Sequence, residues 1–450
     1  MIRSHAVALT TAIALAACGP TTTHLPSDVP STETPDADVA PVDVTPAELR
    51  SNAPRAPAMP QDLPALAEGH ADFGFALHRA AAPASGNTVM SPHSVAVALA
   101  MARAGAVGAT GTEMDAALRF SLTGDRLHAA FNAMGLALAA RPAEATAADP
   151  EPAVPRPALL LRVVNDVWTQ RGLSLVPAYL DTLATSYGAG VRVLDFAASP
   201  DPSRRAINAW IAQQTERRIP ELIPAGAVNG ETRLVLTNAV YFNARWRHRF
   251  NPDSTRDEPF TRLDGTAATV RMMSGGLVAR LPYAEGDGWR AVELPYVGDR
   301  LAMLVIVPDE GTFAAFERSL DGPRYRSIVA ALGERPAIVR LPRFSTRLGS
   351  LLRGPLTSMG MRAAFGASAD FSGITRDFRL VIAEVIHEGF IEVTEAGTEA
   401  AAATAVVFAD GGIGPDTPVS LVVNRPFYYV IRDRGTGAML FLGRVVDPAL

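Results

Sequence analysis

A chain of 450 residues with 48% hydrophobic content has material for one large domain or up to about three average ones. Its formal net charge of −5 argues against a nucleic-acid partner. All 41 basic residues are Arg, which removes lysine chemistry: no Walker lysine, no Schiff base and no Ser-x-x-Lys hydrolase.

The chain opens with Met-Ile-Arg-Ser-His, a short apolar run over Ala6–Ala17, then Cys18-Gly19. A charged start, a short apolar run and small residues before the cut make a secretory signal. The run is too short to span a membrane. Leu15-Ala16-Ala17-Cys18 resembles the bacterial lipobox, in which the cysteine is lipidated and becomes the first mature residue. An ordinary signal peptide that happens to contain Cys is the alternative reading. Cys18 is the single cysteine of the chain, and an unpaired cysteine in an exported protein needs a reason. The expectation is a lipoprotein signal peptide over 1–17 and a lipid-anchored Pro/Thr/Ala-rich disordered tether over 18–68. A domain follows over 69–450, held on the bacterial cell envelope at the outer membrane or the cell surface.

From Leu66 the pattern becomes helical through Phe73 and Leu77. Ser91-Pro92 caps and starts the next helix, because proline at the first helical position loses no hydrogen bond. Gly105 and Gly108 break that helix, Thr112-Glu-Met begins another, and Leu127–Ala140 is a further one. Arg141–Pro157 reads as a Pro- and Ala-rich surface insertion. Leu159–Thr169 alternates as a strand, Ile207–Ile219 as an amphipathic helix, and Leu234–Phe242 is a buried-strand run. Val270–Met273, Val292–Tyr296 and Met303–Pro308 are later strands. Helices followed by strands predict an α+β fold.

Between the apolar runs Leu380–Val393 and Val419–Val423 lies a long stretch with no core of its own, Glu395-Ala-Gly-Thr-Glu-Ala-Ala-Ala-Ala-Thr-Ala-Val-Val-Phe-Ala-Asp410. It carries none of the proline punctuation of a surface loop until Pro415. On a period of two, Thr398, Ala400, Ala402, Thr404, Val406 and Phe408 share a face, small enough to slide between two other strands. Its alanines equally suit a helix, while Gly397 and Thr404–Phe408 favour extended chain.

Glu395-Ala-Gly-Thr-Glu-Ala-Ala-Ala-Ala-Thr404 resembles the hinge of the serpins, and Val422-Val-Asn-Arg-Pro-Phe-Tyr-Tyr-Val-Ile431 is similar to the segment that follows the serpin reactive-centre loop. Gly86–Met101, Ala244-Arg-Trp246 and Leu341-Pro-Arg-Phe344 match in the family's order. The resemblance implies a serpin fold of mixed sheets, with a large central β-sheet, surrounding helices and an exposed reactive-centre loop at about 395–420. It also implies a serine-type endopeptidase inhibitor. A protease attacks the loop and forms an acyl-enzyme, and the cleaved loop inserts into the main sheet and traps it. The hinge would be Glu395, Gly397, Thr398, Glu399, Ala400, Ala402 and Thr404. Ser91, Ser94, Asn238 and His387 would control the opening of the sheet. Trp246, Arg343 and Glu395 would latch its top.

Counting from the hinge Glu395 places the reactive bond at Gly411–Gly412, with Phe408, Ala409 and Ile413 as alternatives that anchor better in a specificity pocket. No Arg lies between Glu395 and Val423, which disfavours trypsin-like targets. The expected partner is a protease of elastase-, chymotrypsin- or subtilisin-like specificity, met by a monomer. No enzyme constellation is present: there is no Gly-x-Ser-x-Gly elbow, no His-Glu-x-x-His and no metal-like spacing of the eight His. No cofactor is implied. Two other classes stand beside inhibition: a non-inhibitory serpin acting as a binding or structural surface protein, and an unrelated surface enzyme. The first prediction concerns the anchor. Cys18→Ser should leave the precursor unprocessed or mislocalised, and unchanged membrane partitioning of that variant would refute lipidation.

Overall fold

The computed structural model describes residues 44–151, 157–275, 279–398 and 417–450. In chain order the helices are α1 (Leu63–Ala81), α2 (Pro92–Arg103), α3 (Gly108–Ala117), α4 (Gly124–Ala147), α5 (Pro177–Thr182), α6 (Pro200–Gln214), α7 (Phe313–Ser319), α8 (Gly322–Ala331) and α9 (Arg353–Ser358). The strands are β1 (Ala47–Leu49), β2 (Leu159–Gln170), β3 (Val191–Leu194), β4 (Leu234–Arg245), β5 (Asn251–Thr261), β6 (Ala267–Ser274), β7 (Ala279–Gly286) and β8 (Trp289–Pro295). They continue with β9 (Leu301–Pro308), β10 (Gly333–Pro342), β11 (Phe344–Leu351), β12 (Val385–Val393), β13 (Gly397–Thr398), β14 (Val419–Val422), β15 (Phe427–Asp433) and β16 (Met439–Val445).

All twelve residues of β4 are buried. A strand that is apolar on both sides must be covered on both faces, and β4 lies inside a seven-stranded sheet of order β1-β3-β2-β4-β13-β12-β11. Helix α6 covers one face through Ile207 and Ile211, which cluster with Trp168 and Phe196. The other face joins the larger core with α1 and α2. A nine-stranded sheet runs β16-β15-β9-β8-β7-β10-β6-β5, with β14 beside β10.

Three boundaries depart from the sequence reading. The tether over 18–68 gives way from Val44 to chain that is packed on the body. β1 pairs antiparallel with the edge strand β3, from Ala47–Val193 to Leu49–Val191. The Ala56 N–H donates to the Thr185 carbonyl at 2.9 Å, and Asn132 Nδ2 donates to the Ala56 carbonyl at 2.8 Å. A Pro-rich segment cannot bury a core of its own, but its backbone can still pair with a sheet edge. Helix α1 likewise starts at Leu63, after a 3-10 turn over Pro60–Asp62.

The third departure is Arg141–Pro157. Its first part extends α4 through Pro142 to Ala147, and Asp149 then pairs with the buried Arg245 at the end of β4. The helix continues because Arg141 anchors it: Arg141 Nε donates to Asp433 Oδ2 at 2.6 Å, and Asp433 is fully buried. Asp433 also accepts from the Thr436 and Gly435 N–H groups at 2.6 and 3.0 Å. Removing one partner of a buried ion pair strands the other charge, at a cost of about 3–5 kcal/mol. Arg141→Ala should lower denaturant stability by that order, and a change below about 1 kcal/mol would show that the pair carries no such weight.

Candidate functional site

The hinge enters the seven-stranded sheet at one end. Gly397 and Thr398 pair with Arg245 and Ala244 of β4, and Thr398 pairs with Val393 of β12 on its other side. Further along, β4 and β12 pair directly, from Leu236–Val385 to Ala239–Glu388. The two strands therefore diverge between these registers, and a two-residue wedge holds them apart. A Cβ at Gly397 would collide with the Ala244 carbonyl, so glycine alone passes here.

Thr398 is buried, and its Oγ1 lies 2.7 Å from the Tyr296 hydroxyl. Tyr296 stacks on Trp246 with ring centroids 4.5 Å apart. Trp246 closes the arrangement by donating from Nε1 to the Thr394 carbonyl at 2.9 Å and from its N–H to the Ala396 carbonyl at 3.0 Å. Arg343 Nε donates to Glu395 Oε1 at 2.7 Å, and the Thr255 hydroxyl donates to the same oxygen. Burial alone would raise the Glu395 carboxyl, but these bonds outweigh it and hold the group below its ordinary range. Trp246, Arg343 and Glu395 thus meet around the wedge.

A second constellation lies lower on the same seam. His387 Nε2 sits 3.0 Å from the Ser91 backbone N–H, which can only donate, so Nε2 is the acceptor. Nδ1 then carries the proton and donates to Asn238 Oδ1 at 2.6 Å. Asn238 Nδ2 donates in turn to the Ser94 hydroxyl. The Ser94 N–H donates to Ser91 Oγ at 3.2 Å, which caps α2. The four residues Ser91, Ser94, Asn238 and His387 are one connected network across β4, β12 and α2. Among the described residues no group of His, Cys, Asp or Glu could hold a metal ion.

Sequence reasoning missed Tyr296, Thr255 and Asn165. The Asn165 carboxamide of β2 lies 2.6 Å from Asn238 Nδ2 and joins the second network. Nothing local marks any of the three, because each acts only through a partner distant in the chain. Glu399, Ala400, Ala402 and Thr404 of the hinge lie outside the described residues. So do the reactive-bond candidates Phe408, Ala409, Gly411, Gly412 and Ile413, and so does Cys18.

Residues 68–448 match the family model of the serpins, the serine protease inhibitors. The chain belongs to the serpin family. An uncharacterised serpin-like protein of Thermococcus kodakarensis is 38% identical over 377 residues, 84% of each chain. The bovine leukocyte elastase inhibitor is 32% identical over 371 residues, 81% of this serpin and 94% of that protein. The crystal structure of the thermophilic serpin tengpin in its native state matches with a TM-score of 0.77 at 25% identity, covering 90% of this chain and all of that one. The serpin fold expected from the sequence is the fold observed.

Burial lowers the His387 pKa to about 4, and a proton on Nε2 would also face the Ser91 N–H. In the unfolded serpin the same ring takes its proton near pH 6.5. Protons therefore favour unfolding between these values: the His387 contribution is whole above about pH 6.5 and is lost as pH falls towards 4. His387→Gln should flatten the acid limb of a stability–pH profile. An unchanged slope between pH 6.5 and 4 would show that this ring does not titrate on unfolding.

Proposed function

We propose that this serpin inhibits serine endopeptidases as a suicide substrate. The loop presents a peptide bond, the protease serine attacks it, the amine side leaves, and the new acyl-enzyme remains joined to the hinge. Insertion of the hinge-side strand between β4 and β12 then drags the protease across the molecule and distorts its catalytic site before water can release it. The energy comes from a fold held short of its most stable state, so the inhibitor acts as a kinetic trap.

One observation carries this reading: Gly397 and Thr398 already occupy the first two rungs between β4 and β12. The residues that continue the same face, Ala400, Ala402 and Thr404, are small and uncharged, so the sequence can follow into the seam without burying a charge. The relative named leukocyte elastase inhibitor supports the reading. For the reactive bond the proposal keeps Gly411–Gly412, with a cut inside Phe408–Ile413. Apolar or small residues there favour elastase-, chymotrypsin- or subtilisin-like targets. Cys18 would tether the inhibitor to the cell envelope.

The test is a panel of elastase, chymotrypsin, subtilisin and trypsin, resolved in boiling detergent with mass analysis of the released C-terminal peptide. A detergent-stable complex with one of the first three, and a cut inside Phe408–Ile413, is the expected result. Complex formation with trypsin alone, or turnover with no complex, would overturn it. A non-inhibitory serpin yields no complex with any of them.

Thr398→Arg separates insertion from simple binding. An unpaired charge buried at this rung costs several kcal/mol, so insertion should lose its race with deacylation. The variant should be cleaved and released as a substrate, with stable complex reduced at least tenfold. Undiminished complex would rule out insertion as the trap.

A further inference from the structure

Between α2, α4 and β2 lies a cavity of about 230 Å³, separate from the β13 wedge and not used by the mechanism above. Its apolar lining comes from Val97 and Met101 of α2, Phe131 and Leu138 of α4, and Leu161 and Val163 of β2. A dry apolar cavity of ~150 Å³ is enough for a benzene-sized guest. Asn165, Ser186 and Tyr187 add polar atoms to this wall, and two further polar features matter most. The His93 ring is buried, with no hydrogen bond to its Nδ1. Arg55 reaches the cavity from the segment that follows β1.

Arg55 is held in place but not neutralised. Its Nε donates to Asn132 Oδ1 at 2.9 Å. The guanidinium lies against two glycines: a Cβ at Gly135 would sit 2.9 Å from Nη2, and one at Gly188 3.1 Å from Nη1. No described carboxylate is within ion-pair distance of it. Arg55 is exposed at the cavity mouth, so its guanidinium is open to a ligand as well as to water. Arg55 lies upstream of the 68–448 serpin match.

We propose that this cavity binds a short- to medium-chain carboxylate, its head on the Arg55 guanidinium and its tail between α2, α4 and β2. Guanidinium matches carboxylate geometry in two parallel hydrogen bonds, and both Nη groups carry none to a described residue. An apolar pocket with one fixed polar anchor is the usual form of a small-molecule site. Asn165 also lines the cavity and touches Asn238 of the seam. An occupant would therefore brace β2 while the sheet parts, a consequence that rests on the inhibitory reading. Binding itself does not rest on that reading.

Calorimetry of octanoate and of octanol with the full folded chain tests the site without any protease. Octanoate should bind saturably at one per chain, and octanol at least tenfold more weakly. Arg55→Gln should lose at least tenfold in octanoate affinity and leave octanol unchanged. Gly135→Leu should abolish both; it fills the mouth, meets only the flexible end of Arg55 and improves helix propensity. Equal binding of the two probes, octanoate affinity untouched by Arg55→Gln, or binding that survives Gly135→Leu would each overturn the assignment.

Discussion

β4 and β12 run parallel and in register for four residue pairs, then part around Gly397 and Thr398. Every backbone group along that seam must find a partner, because it is buried. Below, the strands satisfy each other; above, the wedge satisfies both. Side chains fix where the wedge ends and where direct pairing of β4 with β12 begins. Thr398 fits because it is small and its hydroxyl meets Tyr296. Trp246 fixes the entry by capping the carbonyls of Thr394 and Ala396.

Charges reinforce this end of the sheet. Arg343 and Thr255 converge on Glu395 directly before the wedge, while Arg245, opposite Gly397 on β4, pairs with Asp149. An exposed pair adds at most about 1 kcal/mol, and Arg343 is partly exposed. Its value lies in aiming the chain, since Glu395 is buried and must keep its partner. The buried His387 network links β4, β12 and α2 lower down through side-chain hydrogen bonds.

The N-terminal segment ties β3, α4 and the π-turn Leu183–Tyr187 to one another by backbone pairing and by Asn132. These elements flank the cavity, so the same segment that covers the sheet edge also delivers Arg55 to the cavity. A single stretch of Pro- and Ala-rich chain thereby covers a sheet edge and reaches the cavity.

The sequence alone determined the α+β serpin fold and most elements. The resemblance of the hinge and of the segment after the loop implied the fold, while the largely apolar run of β4 and the Ser91-Pro92 helix start gave individual elements. The same resemblance grouped Trp246, Arg343 and Glu395, and Ser91, Ser94, Asn238 and His387, and the residues of each group lie together in the structure. What it did not contain were relations between distant residues. Tyr296 beneath Trp246, Thr255 on Glu395 and Asn165 beside Asn238 carry no local signal, because a hydrogen bond is decided by where two chains meet. The packing of residues 44–62 was hidden for a similar reason: backbone pairing is blind to composition. Arg141–Pro157 reads as a surface insertion, and only the buried Asp433, which Arg141 reaches, shows why the helix runs on to Ala147.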